Sequence, residues 1–390
     1  MELKVRRCVY LVLWLLALVG ISFYGGAVSY GLFWGVTLIP VISLLYLLAV
    51  YIQLKIYQQI ESRSVVCGEP MPYFFILQNE GFCPFAGISV NLFSSFSTVE
   101  ALPGDREYEL LPGDKYTFKT RLICKYRGEY EVGVKEIVMT DFFRLIRIRY
   151  RIPSTIKALV RPRIIRVAEL SRIQEVNMLL QRESFQERTK PDAVVRDYLP
   201  GDAPRQIHWK ASAKEQKLKV RNRIGEENQK VTLMWDTRRW NREPERYLPL
   251  ENRMLEIVLA LGIFMAERNI SFSAYYGQKG TASAHVNILG DFDGFYQKVS
   301  ESLFDEEEDF EHTLFIMRDR GILYGSRLIF CVLHRLDEKI LKFTEQFEQT
   351  GALTILYVVT DGSKEELTKQ GNERRQIVVV PIQGDLEGSL

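Results

Sequence analysis

A long apolar stretch near the N-terminus constrains the fold of this chain more than any other feature. Residues 8–54 contain no Asp, Glu, Lys, Arg or His. One crossing of a bilayer needs about 20 mainly apolar residues, so this stretch is too long for one span and long enough for two. We place the spans at about 9–24 and 28–52, as a transmembrane hairpin within residues 1–54. The turn between them is predicted at Gly25, Gly26, Ser29 and Gly31.

Basic residues beside the two spans predict the orientation of the hairpin. Lys4, Arg6 and Arg7 precede the first span, Lys55 and Arg63 follow the second, and the turn has no charge. Because Lys and Arg collect on the cytoplasmic side, both ends are expected there. A signal peptide cleaved in the turn is the alternative, and it leaves the rest of the chain on the same side. The prediction is a multi-pass protein of the cell membrane with its soluble domains in the cytoplasm.

Composition excludes several classes of protein. The 390 residues carry 51 Lys and Arg against 49 Asp and Glu, a net charge of +2, so no nucleic-acid partner is expected. The five cysteines are odd in number and form no C-x-x-C pair, and the four histidines lack metal-ligand spacing. This pattern favours a reducing compartment without a disulfide framework or a structural zinc site. We therefore expect no cofactor.

The segment 60–160 has the alternation of a β-domain. In 115–124 and in 129–135 apolar residues alternate with polar ones, which places one face of each strand in a core. Turn signals recur between such segments, including Pro-Gly-Asp at 103–105 and at 112–114. Short strands at this spacing predict an Ig-like β-sandwich. No catalytic constellation occurs in it.

A basic run closes this segment. Arg147, Arg149 and Arg151 alternate with apolar residues in a stretch that has one acid, Asp141, and continues to Arg166. Two interpretations are open: the solvated face of an edge strand, or a surface attracted to anionic lipid. We favour the edge strand, because this alternation is what a half-buried strand needs.

Within the last domain, residues 161–390, the pattern changes from Val231 onward to strands that alternate with helices. Strands are predicted at 231–235, 271–276, 327–333, 353–359 and 376–381, and helices at 247–268, 292–304 and 337–350. This order predicts an α/β domain with a mostly parallel sheet covered on both faces. Ligands of such sheets bind at the carboxyl ends of the strands, where Asp236 and Asp361 lie. The acidic run 305–309 is predicted to be a solvated connection.

The most distinctive stretch is a motif block at about 185–226. Its centre, from Val195 to Lys214, reads V-R-D-Y-L-P-G-D-A-P-R-Q-I-H-W-K-A-S-A-K. This block resembles the signature of the bacterial family named domain of unknown function fifty-eight, whose common form reads R-E-Y-x-P-G-D-x-x-R-x-I-x-W-x-x-S-A. The matching residues are Arg196, Tyr198, Pro200, Gly201, Asp202, Arg205, Ile207, Trp209, Ser212 and Ala213. The two-helix anchor and the segments 127–130 and 141–145 resemble further features of the family, so the likeness covers nearly the whole chain.

The resemblance implies a fold and a class of partner. It implies a von Willebrand A-like α/β domain, in agreement with the alternation of strands and helices. It also implies a membrane-anchored adaptor or assembly factor that is not an enzyme and that binds protein partners. A MoxR-type AAA+ ATPase and a transglutaminase-like membrane protein are the partners it suggests. No catalytic residue is carried over from the family.

A degenerate metal motif follows the first strand of this domain. Many von Willebrand A domains bind a divalent cation through D-x-S-x-S at that point, and hard oxygen ligands suit Mg²⁺. This chain reads Asp236-Thr237-Arg238-Arg239-Trp240 there, so Arg238 and Trp240 replace both serines. One Asp cannot supply the several oxygens that a hard cation needs. We expect no bound metal.

The motif block itself has two interpretations. In the first, Arg196 and Asp202 form a buried ion pair beside Trp209, because buried charges must be paired. In the second, the block is a binding surface; we favour the first for Arg196 and Asp202 and the second for the lysines. The candidate binding residues are Arg196, Tyr198, Pro200, Gly201, Asp202, Arg205, His208, Trp209, Lys210 and Ser212.

Two other functions remain open from the sequence. Asp236, Asp202 and His208 would be the residues of a metal-assisted hydrolase or phosphoryl-transfer enzyme if they met in one cleft. The basic run from Lys214 to Arg223 would bind an anionic ligand, as basic residues beside aromatics do. The enzyme alternative has no recognised motif of its own, since the chain lacks a P-loop, H-E-x-x-H and G-x-S-x-G.

Overall fold

The computed structural model divides the chain into two compact units, Met1–Arg161 and Pro162–Leu390. It describes residues 2–100, 107–153, 155–167, 195–197, 209–221, 230–277, 281–307, 310–319, 326–349, 352–362, 367–384 and 386.

Two apolar helices open the first unit, α1 (Glu2–Tyr24) and α2 (Gly26–Gln53). Both are long and apolar enough to cross a membrane, and only 6% and 17% of their most apolar windows are buried inside the protein. The core helix of a soluble protein would be mostly buried. Their exposed Leu, Val and Trp side chains form an apolar surface of the kind that faces lipid. The first unit is therefore consistent with a membrane-anchored protein.

The turn between the helices is shorter than the sequence suggested. Gly25 alone separates them, and both Gly25 and Gly26 have positive φ angles, 57° and 85°. Glycine adopts this conformation without the clash that a Cβ causes, so the chain reverses within one or two residues. Ser29 and Gly31 lie inside α2, and their assignment to the turn was wrong.

Antiparallel contacts fix the register of the two helices. The indole nitrogen of Trp14 donates to Thr37 Oγ1 at 3.1 Å, and the Tyr10 hydroxyl donates to the carbonyl oxygen of Val36 at 3.2 Å. Polar side chains between apolar helices gain from such bonds because no water competes for them. Tyr10 and Trp14 of α1 therefore lie beside Val36 and Thr37 of α2.

Eleven short strands follow in the described part of the first unit. They are β1 (Leu54–Ile60), β2 (Ser64–Val66), β3 (Pro70–Asn79), β4 (Phe85–Leu92), β5 (Ser97–Val99), β6 (Glu107–Leu110), β7 (Lys115–Cys124), β8 (Gly128–Val132), β9 (Val134–Thr140), β10 (Arg147–Arg151) and β11 (Ile156–Arg161). Two antiparallel four-stranded sheets have the orders β1-β3-β7-β5 and β10-β9-β4-β6, and a third sheet has the order β2-β11-β8. β10 is an edge strand, as its arginine alternation predicted.

The two larger sheets share one hydrophobic core and form a β-sandwich. Phe75 and Leu122 from one sheet and Ile88 and Ile137 from the other are fully buried in this core. From Phe118 to Cys124 in β7 and along β8, more buried residues alternate with more exposed ones, following the period of two read from the sequence. Tyr116, which that pattern placed on the core side, is 44% exposed. The predicted β-sandwich is therefore present, and it begins at Leu54, directly after α2.

A small hairpin carries the described part of the motif block in the second unit. It consists of β12 (Val195–Asp197), α3 (Trp209–Glu215) and β13 (Lys219–Arg221). β12 pairs with β13 in antiparallel register, with Arg196 opposite Val220.

A six-stranded sheet with helices forms the rest of the second unit. Its strands are β14 (Lys230–Trp235), β15 (Phe272–Gly277), β16 (Thr281–Val286), β17 (Ser326–Leu333), β18 (Leu353–Val359) and β19 (Arg375–Val380). The helices are α4 (Pro244–Glu267), α5 (Phe292–Glu301), α6 (Phe310–Asp319) and α7 (Glu338–Gln349). The strand order is β16-β15-β14-β17-β18-β19, and every pairing is parallel except that of the edge strand β16.

Alternate residues of each central strand enter two separate cores. In β17, Phe330 and Val332 pack in the core that contains α4 and α5, while Ile329 and Cys331 pack in the core that contains α6 and α7. The prediction of a mostly parallel sheet covered on both faces is therefore confirmed. The sequence analysis missed β16 and α6.

Candidate functional site

The carboxyl edge of the parallel sheet brings the predicted acidic residues to neighbouring positions. Asp236 follows β14 and Asp361 lies two residues beyond β18, with β17 between the two strands. Asp361 Oδ1 accepts a hydrogen bond from the backbone nitrogen of Ile382 at 3.1 Å and so links the segment after β18 to the segment after β19. Asp236 is the residue around which this edge is organised.

The carboxylate of Asp236 is buried and bonded within its own loop. Oδ1 accepts the backbone N–H of Arg238 at 2.8 Å, and Oδ2 accepts the indole N–H of Trp240 at 3.4 Å. Asp236 as a whole is only 2% exposed to solvent. Arg238 and Trp240, which replace the two serines of the metal motif, thus donate hydrogen bonds to this carboxylate.

Trp240 lies among cationic and aromatic groups. The Arg238 guanidinium is 4.3 Å from the centre of the Trp240 ring, and that of Arg335 is 5.6 Å away. The His334 ring centre is 6.0 Å from that of Trp240. Cations over an indole face are attracted by its negative electrostatic potential, so the cluster is favourable despite its like charges.

His334 lies in this cluster without adding a third charge. Burial lowers the pKa of its imidazole below the usual 6.5, and the positive charge of Arg335 acts in the same direction. The carbonyl oxygen of Val359, which accepts a bond from Nδ1 at 3.2 Å, opposes this shift. The net effect keeps His334 neutral at physiological pH.

Two acidic residues that the sequence analysis assigned to a solvated connection belong to this edge. The backbone nitrogen of Asp305 donates to the carbonyl oxygen of Thr237 at 3.1 Å, and its carbonyl oxygen accepts the backbone N–H of Arg239 at 2.8 Å. Glu306 forms an ion pair with Arg242 at 2.9 Å. Asp305 and Glu306 are exposed and lie between α5 and α6, as the prediction of a solvated connection has it. The strand-like bridge between Asp305 and Arg238 of the loop after β14 was not predicted, because a run of acids carries no signal for it.

A charged pair then links the loop after β14 to α4. Arg239 donates through Nε and Nη2 to the two carboxylate oxygens of Glu251, at 2.7 and 3.2 Å. Its guanidinium also lies 4.0 Å from the centre of the Tyr247 ring. Such a two-point contact orients the loop as well as stabilising it.

Within the described residues, no three His, Cys, Asp or Glu side chains are close enough together to bind a metal ion. The sequence analysis expected no bound metal, and that expectation stays a prediction.

The motif hairpin places part of the predicted binding set on an exposed surface. Trp209 is 69% exposed at the start of α3, and Lys210, Lys214 and Lys217 are exposed beside it. Ser212 is buried, and its Oγ accepts the backbone N–H of Lys219 at 2.8 Å. Ser212 therefore connects the helix to β13, while the tryptophan and the lysines face outward.

Several predicted residues cannot be placed in this geometry. Tyr198, Pro200, Gly201, Asp202, Arg205, His208 and Arg223 lie outside the described residues, and Arg196 is described only by its backbone. The ion pair of Arg196 with Asp202, and the meeting of Asp236 with Asp202 and His208, thus stay predictions. For the basic run, Lys214 and Lys217 lie on the exposed surface.

Comparison with known proteins gives no relative. No family model matches the chain, and no curated protein matches it. Solved structures with some likeness include trypsin-activated alpha-2-macroglobulin from Escherichia coli (16% identity, TM-score 0.22) and Salmonella alpha-2-macroglobulin reacted with methylamine (15%, 0.21). The first match covers 28% of this chain and the second covers 27%. In each case this chain spans only 7% of the length of the macroglobulin.

The CARDB domain of a Pyrococcus furiosus protein is a third structure with some likeness. It is 10% identical with a TM-score of 0.18, and the match covers 28% of this chain and 89% of that domain. Likenesses this weak identify neither a fold nor a function.

Proposed function

We propose that this protein is a membrane-anchored adaptor of the cytoplasm that binds protein partners and is not an enzyme. The two N-terminal helices would span the cell membrane, and the rest of the chain would lie on the cytoplasmic side. The observation that carries the proposal is the exposed surface formed by Trp209, Lys210, Lys214 and Lys217, which we call the motif face.

The strand order supports a von Willebrand A-like second unit. Numbered along the chain from β14, the sheet reads 3-2-1-4-5-6, with the third strand antiparallel at the edge. Doubly wound sheets bind ligands at the carboxyl ends of their strands, on the edge where Asp236 lies. The bonds from Arg238 and Trp240 to Asp236 favour a variant of this fold that works without a cation.

A tyrosine supports an Ig-like topology for the β-sandwich. The Tyr130 hydroxyl donates to the carbonyl oxygen of Tyr126 at 2.8 Å, four residues upstream in the chain. This geometry resembles the tyrosine corner of Ig-like domains, in which a Tyr near the start of a strand bonds back to the preceding backbone.

The motif face has the chemistry of a contact surface for an acidic protein. Tryptophan is enriched among the residues that contribute most to binding at protein interfaces, and a side chain 69% exposed to water gains much by being covered. Positive charges around it increase the rate of encounter with an acidic partner. A MoxR-type AAA+ ATPase is the partner that the motif resemblance suggests.

The proposal is tested by site-specific photo-crosslinking in intact membranes. A photoreactive phenylalanine at Trp209 should cross-link a AAA+ ATPase, identified by mass spectrometry. The same residue at Phe315, which is 48% exposed in the same unit, should not. Capture should persist in EDTA and in Asp236→Ala. Equal cross-linking at both positions, or capture that requires Mg²⁺ and Asp236, would contradict a metal-independent adaptor.

A further inference from the structure

The turn between β9 and β10 presents two phenylalanines to the surroundings. Phe142 is 73% exposed and Phe143 is 47% exposed, and their rings meet edge to face at 5.9 Å. We call residues 141–146 the hairpin tip. Exposed aromatic pairs on an ordered turn are costly in water, so the tip is expected to lie against something apolar.

The hairpin tip has a fixed shape. Asp141 is 2% exposed, and its carboxylate accepts the backbone N–H groups of Phe143 and Ile146, at 3.2 and 2.6 Å. Arg144 adopts a φ of 54°, and its side chain turns back to Glu107 at 2.7 Å. Because the Arg144 guanidinium is bonded to Glu107, Phe142 and Phe143 are the large exposed side chains of the tip.

The same tip is bonded to both apolar helices. Ser43 of α2 donates to Asp141 Oδ2 at 2.8 Å, and Arg7 of α1 donates through Nε to the carbonyl oxygen of Leu145 at 2.9 Å. Further along the hairpin, the rings of Tyr51 and Tyr150 meet at 5.1 Å. The hairpin thus runs beside the last turns of α2, with its tip directed toward the middle of the helix.

Helix length places the tip at the edge of a bilayer. From Gly26 to Ser43 the helix advances about 26 Å at 1.5 Å per residue, whereas the hydrocarbon core of a bilayer is about 30 Å thick. If Gly25 and Gly26 lie at the far surface, the level of Ser43 is at or inside the near boundary of the hydrocarbon. The tip bonded to Ser43 must lie at the same depth.

We propose that the hairpin tip is a membrane-insertion device: Phe142 and Phe143 enter the interfacial layer of the bilayer that α1 and α2 span. The inference rests on the proposed membrane anchoring and adds a second contact to it. Aromatic side chains favour this layer, where one part of the ring meets acyl chains and another meets water. The exposed Arg147 and Arg149 follow the tip on β10, at the depth where lipid phosphates lie.

Fluorescent labels in the full chain reconstituted into phosphatidylcholine–phosphatidylglycerol nanodiscs test this depth. In a Cys8→Ser/Cys83→Ser background, an environment-sensitive fluorophore is attached at Phe142→Cys or, separately, at Phe143→Cys. Leu159→Cys is the matched control, since Leu159 is 50% exposed on β11 at the other end of the sandwich. Leu16→Cys, in α1 and 61% exposed, reports on the anchor. Each label is challenged with aqueous iodide and with lipids that carry a nitroxide near the headgroup.

The expected result is that labels at 142 and 143, like the label at 16, are shielded from iodide. Lipid nitroxide should quench them, and their iodide quenching should be several-fold weaker than at 159. Iodide quenching at 142 and 143 equal to that at 159, with 16 still in lipid, would overturn the tip insertion alone. A label at 16 open to iodide would overturn the anchoring and the inference with it. Shielding at 142 from both quenchers would mean that protein, such as a second copy, covers the tip, and would also overturn it.

Discussion

Asp141 connects a turn and a helix through one carboxylate. Replacing it with Ala removes the acceptor for Ser43 Oγ and for the N–H groups of Phe143 and Ile146. A buried donor left without a partner costs about 1–3 kcal/mol, so Asp141→Ala should lower the free energy of unfolding by at least that amount. Ser43→Ala leaves the two backbone bonds in place and should cost less. Urea unfolding in detergent checks the order, and equal losses would refute it.

His334 makes the second unit sensitive to acid. Its pKa in the folded protein is lowered, mainly by burial, so the unfolded chain binds the proton more readily. Stability from this group is complete above the unfolded pKa, about 6.5, and is lost as the pH falls below it toward the folded pKa. His334→Asn keeps a donor for Val359 and does not titrate. We expect unfolding free energies of the parent to fall more steeply than those of His334→Asn between pH 7.5 and 5.5. Parallel curves would contradict this.

Helix α4 contains a buried network of charges that the sequence analysis did not predict. Glu256 accepts bonds from Arg253 at 3.2 Å, Asn252 at 3.0 Å and Arg163 at 2.7 Å. Arg253 also donates to the carbonyl oxygens of Pro381 and Gly384. The network therefore connects α4 to the segment after β19 and to the start of the second unit.

Breaking this network should lower the free energy of unfolding by several kcal/mol. Arg253 and Glu256 are each 3% exposed, and removing one partner of a buried pair typically costs about 3–5 kcal/mol. Arg253→Ala should fall in that range, and the double mutant with Glu256→Ala should lose less than the sum of the single mutants. Arg246→Ala breaks an exposed pair with Glu243, the residue before the first turn of α4, and should cost about 0–1 kcal/mol. Denaturant unfolding of the four variants gives the comparison, and an additive double mutant would disprove the coupling.

Elements with a strong local pattern were predictable from the sequence, and those defined by distant contacts were not. β18 has the predicted bounds because a run of six apolar residues and one Thr between turn signals is typical of a buried strand. β16 was missed because it contains small and polar residues and owes its place to pairing with β15. The site follows the same rule: Asp236 was found from its place after a strand, but the contribution of Asp305 depends on a bridge between segments 67 residues apart.

At the scale of the molecule, the anchor and the β-sandwich are not separable. Leu47 and Val50 of α2 are 1% and 2% exposed and belong to the sandwich core. A fragment that begins at residue 55 loses both, at about 1.5–3 kcal/mol for each buried side chain. Fragment 43–390 should therefore unfold at higher urea than fragment 55–390, both in the same detergent. Identical midpoints would show that α2 contributes nothing to this core.

The orientation of the anchor follows from the charges beside it. Lys4, Arg6 and Arg7 on one side and Lys55 on the other predict that both termini lie in the cytoplasm. Reporter fusions at residues 60 and 390 should behave as internal, while a fusion placed between Gly25 and Gly26 should behave as external. Cleavage of the β-sandwich by a protease added outside intact cells would reverse the assignment.

The junction of α2 and β1 has a mechanical consequence. The helix ends at Gln53 and the strand begins at Leu54, so no flexible connector separates α2 from the sandwich. A tethered domain tumbles independently of its anchor, but here the tilt and rotation of the helix pair are also the tilt and rotation of the sandwich. A bilayer that becomes thicker or thinner changes the tilt of its helices. With α1 and α2 spanning the bilayer as proposed, the angle at which this sandwich stands on the membrane would follow the thickness of the bilayer.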